Sequence, residues 1–164
     1  MGLDHKLTVH CLEKKSVTTS VSNLRFFEDM AIVNGKTEGS KLLAISGKCC
    51  LELRAMHKNE ISPITEVIEL DDNITAISAS KSGAHLLVNV SMTKPRIELI
   101  SFRAGDKWSS SIQKYRGHSQ STYILRAQFG GYQENFVICG SEDNSIYIWQ
   151  RDSGNLLSTI KGHY

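Results

Sequence analysis

The strongest constraint on this chain is a repeat. Tyr115-Arg116-Gly117-His118 opens a segment that runs through Gly140-Ser141-Glu142-Asp143-Asn144-Ser145-Ile146-Tyr147-Ile148-Trp149 and closes on a second Gly-His, Gly162-His163. The two histidines stand about 45 positions apart, the period of a radial repeat whose unit is a small sheet of four short strands. Such a sheet cannot bury its faces alone, so the period calls for sheet stacked on sheet. At that period the 164 residues hold roughly three to four units, whereas a closed ring takes about 4 to 8. The expected object is the front part of a larger ring.

Short runs rich in Val, Ile, Leu, Phe and Tyr recur between clusters of Gly, Asn, Ser and Asp, and no stretch keeps helical periodicity for three turns. The chain therefore reads as all-β. In the last unit, residues 117–161, strands are expected near Tyr123 to Gln128, Phe136 to Gly140, Ser145 to Gln150 and Leu156 to Ile160. Turns fall at Gly130-Gly131, Asp143-Asn144 and Ser153-Gly154-Asn155. The middle unit, 71–116, parses as Ile74 to Ser80, His85 to Ser91, Arg96 to Phe102 and Lys107 to Lys114. A degenerate unit at 23–70 offers Leu24 to Phe27, Leu42 to Ser46, Cys49 to Met56 and Thr65 to Leu70, with turns at Asn34-Gly35 and Gly39-Ser40. Residues 1–22 could supply an outer strand to a neighbouring unit, and 162–164 open a further repeat.

Composition narrows the function. The chain is 40% hydrophobic and 22% charged with a net charge of +2, and its Lys and Arg are dispersed, so neither a nucleic-acid partner nor disorder is expected. Met1-Gly2-Leu3-Asp4-His5-Lys6 lacks the apolar core of a signal peptide, and Lys6 stands where a myristoylation motif wants Ser or Thr. No apolar run reaches the length of a membrane span. A cytoplasmic or nuclear protein, or one found in both places, is the expectation. Cys11, Cys49, Cys50 and Cys139 form no CxxC pair and no metal-ligand spacing, and neighbouring thiols in a strand point to opposite faces, so buried structural thiols are expected and no metal or cofactor.

His118, Ser141, Asp143 and Trp149 are the one constellation that looks like chemistry. A serine, histidine and aspartate could suggest a catalytic triad, but Ser141 is expected inside a strand rather than on an exposed elbow beside an oxyanion hole. There is also no phosphate loop or nucleophile motif, and no enzyme is expected. The four residues instead resemble the structural tetrad of WD40-repeat β-propellers. The resemblance implies one hydrogen-bonded chain of Trp, Ser, His and Asp that ties an outer loop to inner strands, each buried polar group finding a partner. The middle unit has Ser91-Met92-Thr93-Lys94-Pro95 where the last has Ser-x-Asp, and no Trp in the following strand, so packing alone is expected to hold it. Trp108 falls near a loop or outer strand, as a core plug or an interface anchor.

The resemblance sharpens from Lys114 to His163. Arg126 followed by Phe129-Gly130-Gly131, then Gly140-Ser141-Glu142-Asp143 and Tyr147-Ile148-Trp149-Gln150-Arg151, is similar to the WD40 subunit of the GID/CTLH ubiquitin ligases. Members of that family carry a helical LisH/CTLH region ahead of the propeller, and this sequence starts almost directly in strands, so what carries over is the propeller part. The resemblance implies a non-catalytic interaction scaffold that recruits substrates or adaptors to a ligase, with ligase subunits or substrate proteins as partners. A scaffold in transcription, signalling or RNA processing that merely shares the repeat is the alternative. Open propeller edges make self-association expected in either case.

Overall fold

The computed structural model describes residues 6–11, 13, 15–21, 28–34, 40–57, 60–91, 94–102 and 111–162. An antiparallel hairpin comes first, β1 (Leu7–Cys11) with β2 (Ser16–Val21). Three four-stranded antiparallel sheets follow, each a meander in chain order. The first holds β3 (Asp29–Asn34), β4 (Lys41–Ser46), β5 (Cys50–His57) and β6 (Glu60–Glu69). The second holds β7 (Ile74–Ala79), β8 (His85–Val90), β9 (Arg96–Ser101) and β10 (Gln113–Tyr115). The third holds β11 (Gln128–Gly130), β12 (Phe136–Gly140), β13 (Ser145–Gln150) and β14 (Leu156–Lys161), with a turn of 3-10 helix at Tyr132–Glu134.

The sheets stack because the inner strands carry an apolar set on both faces. In β4, Leu42 and Ala44 join Val33, Leu51 and Leu53 in one buried cluster with Ile74, Leu86, Val88 and Ile100 of the second sheet. Leu43 and Ile45 alternate with them and pack the other way, with Leu7 of the hairpin and the half-buried Met56 and Ile61. β8 repeats the device: Leu87, between Leu86 and Val88, joins Ile97, Leu99 and Tyr115 against Val137, Cys139 and Trp149 of the third sheet. Each such Leu, Ile or Val contributes about 1.5–3 kcal/mol by leaving water. Burial on both faces is why these strands read as nearly unbroken apolar runs.

The stack does not close into a ring. Beyond the third sheet no element among the described residues covers Phe136, Ile146 and Ile160, which are 37%, 41% and 50% exposed, and β14 is exposed along its whole length. At the hairpin end, Met30 and Ile32 are likewise half exposed.

Several expected elements shift. The N-terminal runs Leu7 to Leu12 and Ser16 to Val21, offered as material for an outer strand, pair with each other as the β1–β2 hairpin, Leu7–Cys11 with Ser16–Val21. The first sheet opens on Asp29–Asn34, while Leu24 to Phe27 lie outside the described residues, and its last strand begins at Glu60, five residues ahead of the expected Thr65. The strand expected at Tyr123 to Gln128 is a loop, and β11 begins only at Gln128. Tyr123 and Ile124, whose apolar character suggested a strand, project from that loop 71% and 69% exposed. Only Gln113–Tyr115 pair in the last strand of the second sheet; residues 103–110, with Trp108, lie outside the described residues, as do His5, Met92, Thr93 and His163.

Candidate functional site

Ser141 and Asp143 lie where the connection from β10 to β11 meets the turn between β12 and β13, whereas Trp149 stands near the far end of β13, opposite Val137. Trp149 is fully buried, with Tyr147 stacked on it at 5.6 Å and the His118 ring edge-on at 5.8 Å. The hydrogen bonds do not run as the expected chain. The Trp149 indole N–H donates to the Arg116 carbonyl at 3.2 Å. Ser141 lies in the turn just past β12, not in a strand; its hydroxyl accepts from the Ser119 N–H at 2.8 Å and donates to the Ser119 carbonyl. Asp143 is exposed and accepts from the Ser145 N–H and, at 2.7 Å, from the Tyr147 hydroxyl. The hydrogen bond from Tyr147, helped more weakly by those from Ser145, holds its carboxyl below the usual range.

His118 is buried with neither ring nitrogen hydrogen-bonded among the described residues. Burial pushes its imidazole below the ordinary histidine range, against the pull of the Asp143 charge. No hydrogen bond joins it to Ser141, so the relay of a catalytic triad is not formed here.

The remaining motif residues shape the loops around this corner. Glu142 fastens the loop that follows His118: its carboxylate accepts from the Thr122 and Tyr123 N–H groups, both at 2.7 Å, and from the Ser121 hydroxyl. The Ser121 hydroxyl and these N–H groups draw its pKa down to about 2. Gly131 sits at φ 77 and ψ −178, a conformation essentially confined to glycine, and a Cβ there would come within 2.4 Å of the Phe136 ring. Phe129 packs against the Trp149 cluster. Arg151 donates to the Gln133 and Glu134 carbonyls, both at 3.3 Å, and so supports the strained turn that follows Gly131. Gly130, the other half of the pair, is strand backbone in β11.

Side chains absent from the sequence reading stitch the sheets together. Asp29, at the head of β3, accepts from the Ile77 N–H of the second sheet at 2.9 Å and pairs with Arg126 of the third unit at 2.8 Å. Asn89, buried in β8, accepts from the Ala127 N–H at 2.9 Å and turns its amide toward the Cys139 thiol. The second sheet also has a polar tie where packing alone was expected. Arg96 bonds Glu98 at 2.6 Å and pairs with Asp71 in the entering connection, and Lys114 reaches Glu98 at 3.4 Å. Arg96 and Glu98 are both buried. The tie joins loop to third strand with charges where the last unit uses an indole.

The cysteines divide. Cys139 is buried, and burial raises its thiol pKa to about 11. Cys49, expected to be buried, is exposed and donates to Asn73 Oδ1 at 3.2 Å, and Cys50 is half-buried at the start of β5. Among the described residues no three His, Cys, Asp or Glu side chains gather as metal ligands, and no helix is long and apolar enough to cross a membrane.

The chain is 37% identical over 100 residues to the WD repeat-containing protein 26 homolog of Arabidopsis thaliana, 61% of this chain and 16% of that one. It is 36% identical over 126 residues to a WD repeat-containing protein of Dictyostelium discoideum, 77% of this chain and 20% of that one. Its sheets are WD40 blades. A third WD40 relative, GID complex subunit 7 of Schizosaccharomyces pombe, is 30% identical over 139 residues, 82% of this chain and 26% of that one. The chain thus spans about a quarter or less of the length of these relatives. No family model matches it.

Proposed function

We propose that this chain is a non-catalytic protein-interaction scaffold related to the adaptor or substrate-recruiting subunit of a GID/CTLH-type ubiquitin ligase, working in the cytoplasm, the nucleus or both. The observation that carries the reading is the similarity to GID complex subunit 7 across 82% of the chain. The use of polar groups at the loop end supports interaction over chemistry: Ser141, Glu142 and Asp143 hold backbone and neighbouring hydroxyls in place. A WD40 scaffold with no ligase role is the second reading, favoured by relatives whose names carry the repeat alone.

Proximity labelling decides between them. With the chain as bait in cells that contain a GID/CTLH ligase, ligase subunits are expected to be enriched over an unrelated WD40 bait. Enrichment of a different assembly, with ligase subunits at background, would overturn the ligase reading in favour of the second.

A further inference from the structure

The packing between the second and third sheets is repeated, without an occupant among the described residues, at the end of the stack. On β8 and β9 the cross-strand pair Leu87 and Leu99, with Ile97 and Tyr115, packs against Val137, Cys139 and Trp149 of the third sheet. One blade on, β12 and β13 present the same rungs: Ile138 pairs with Ile148, and Ile146 with Ile160 of β14. These positions alternate with Val137, Cys139 and Trp149, so they face away from the second sheet. Ile146 and Ile160 are the exposed members. The neighbouring positions on that face, Phe136, Gly140, Gln150 and Ser158, are all uncharged. A face of this pattern fits the opposite face of another blade of the same repeat.

The first sheet offers one. Leu43 and Ile45 of β4 look toward the hairpin, the side that corresponds to the Val137 and Cys139 face of β12, and the half-exposed Met30 and Ile32 stand beside them on β3. β2 lies against β6 at the outer edge. The hairpin therefore leaves a groove of about 550 Å³ over the inner strands, lined by Leu7, Val9, Met30, Ile32, Leu43 and Met56. Arg54 and Glu52 of β5 pair with each other at 3.0 Å, so a covering blade strands neither charge.

We propose that the third sheet of one copy of this chain docks head to tail in this groove of a second copy, with Ile146 and Ile160 covering Met30 and Ile32. The contact is heterologous, and two copies form it twice, so the pair closes into a ring. With three four-stranded sheets in each copy, that ring lies within the roughly 4 to 8 blades a closed propeller takes. Apolar burial supplies the affinity, so added salt does not dissolve the pair.

The test is light scattering after size exclusion on the wild type, on a tail variant, Ile146→Lys/Ile160→Lys, on a head variant, Met30→Lys/Ile32→Lys, and on an equimolar mixture of the two variants. The wild type is expected at twice 18.3 kDa and each variant alone at 18.3 kDa. The mixture is expected to regain the two-chain mass through its one intact contact, at a concentration about tenfold or more above that of the wild type. A head variant that still dimerises places the third sheets against each other and overturns the proposal. So does a mixture that stays monomeric, a wild-type mass that climbs past two chains, or a monomeric wild type. Should a lysine variant lose its fold by circular dichroism, a photo-crosslinking benzoylphenylalanine at position 160 decides instead. Crosslinks between chains to the peptide that holds Met30 and Ile32 are expected, and crosslinks confined to β12–β14, or none between chains, overturn it. None of these outcomes bears on the ligase reading, which proximity labelling tests.

Discussion

His118 and Asp143 show how differently residues of one motif bear on stability. His118 is buried and held toward its neutral form, so the folded chain binds fewer protons than the unfolded one below the ordinary histidine pKa of 6.5. Its contribution is complete above that pH and is lost as the pH falls through 6.5 toward the lowered folded value. The melting temperature of the wild type should therefore drop on mild acidification by more than that of His118→Phe, and parallel pH profiles would contradict the burial argument. Asp143, exposed and bonded to a hydroxyl and one N–H, is a smaller matter. Asp143→Ala should cost less than about 1 kcal/mol in chemical denaturation. Gly131→Ala combines a left-handed φ with a collision against Phe136, and should cost about 1–3 kcal/mol for the backbone alone.

At the scale of elements, the blades owe their register to alternating apolar side chains and their connections to polar ties of different chemistry. In the second blade the tie is the buried Arg96–Glu98 pair with Asp71 and Lys114. Removing one charge of such a pair leaves the other stranded, whereas removing both leaves an apolar contact. Arg96→Met is expected to destabilise by about 3–5 kcal/mol and Arg96→Met with Glu98→Leu by much less, measured by urea unfolding of both variants. This tie was illegible in the sequence because charged residues at alternate strand positions look like a solvated face, and Asp71 is distant along the chain. β8, β12 and β13 were legible, since a short apolar run bounded by turn residues reads as a strand buried on its faces. β11 was not, because Tyr123 and Ile124 carry strand-like character on a loop that Glu142 holds by hydrogen bonds no periodicity announces. The polar links between blades were not legible: Asp29 and Asn89 act across blades, where spacing along one chain carries no signal.

At the scale of the whole molecule, WD40 blades stack face to face and leave an apolar sheet face open at the end of the stack. Phe136, Ile146 and Ile160 on that face are exposed with no covering element among the described residues, and exposed apolar patches of this kind mark interfaces. Size-exclusion chromatography with light scattering on the wild type and on Ile146→Lys/Ile160→Lys tests this most directly. Self-association of the wild type at micromolar concentration, relieved in the double variant, is the predicted result. A stable, monodisperse wild-type monomer of 18.3 kDa with cooperative melting would contradict it.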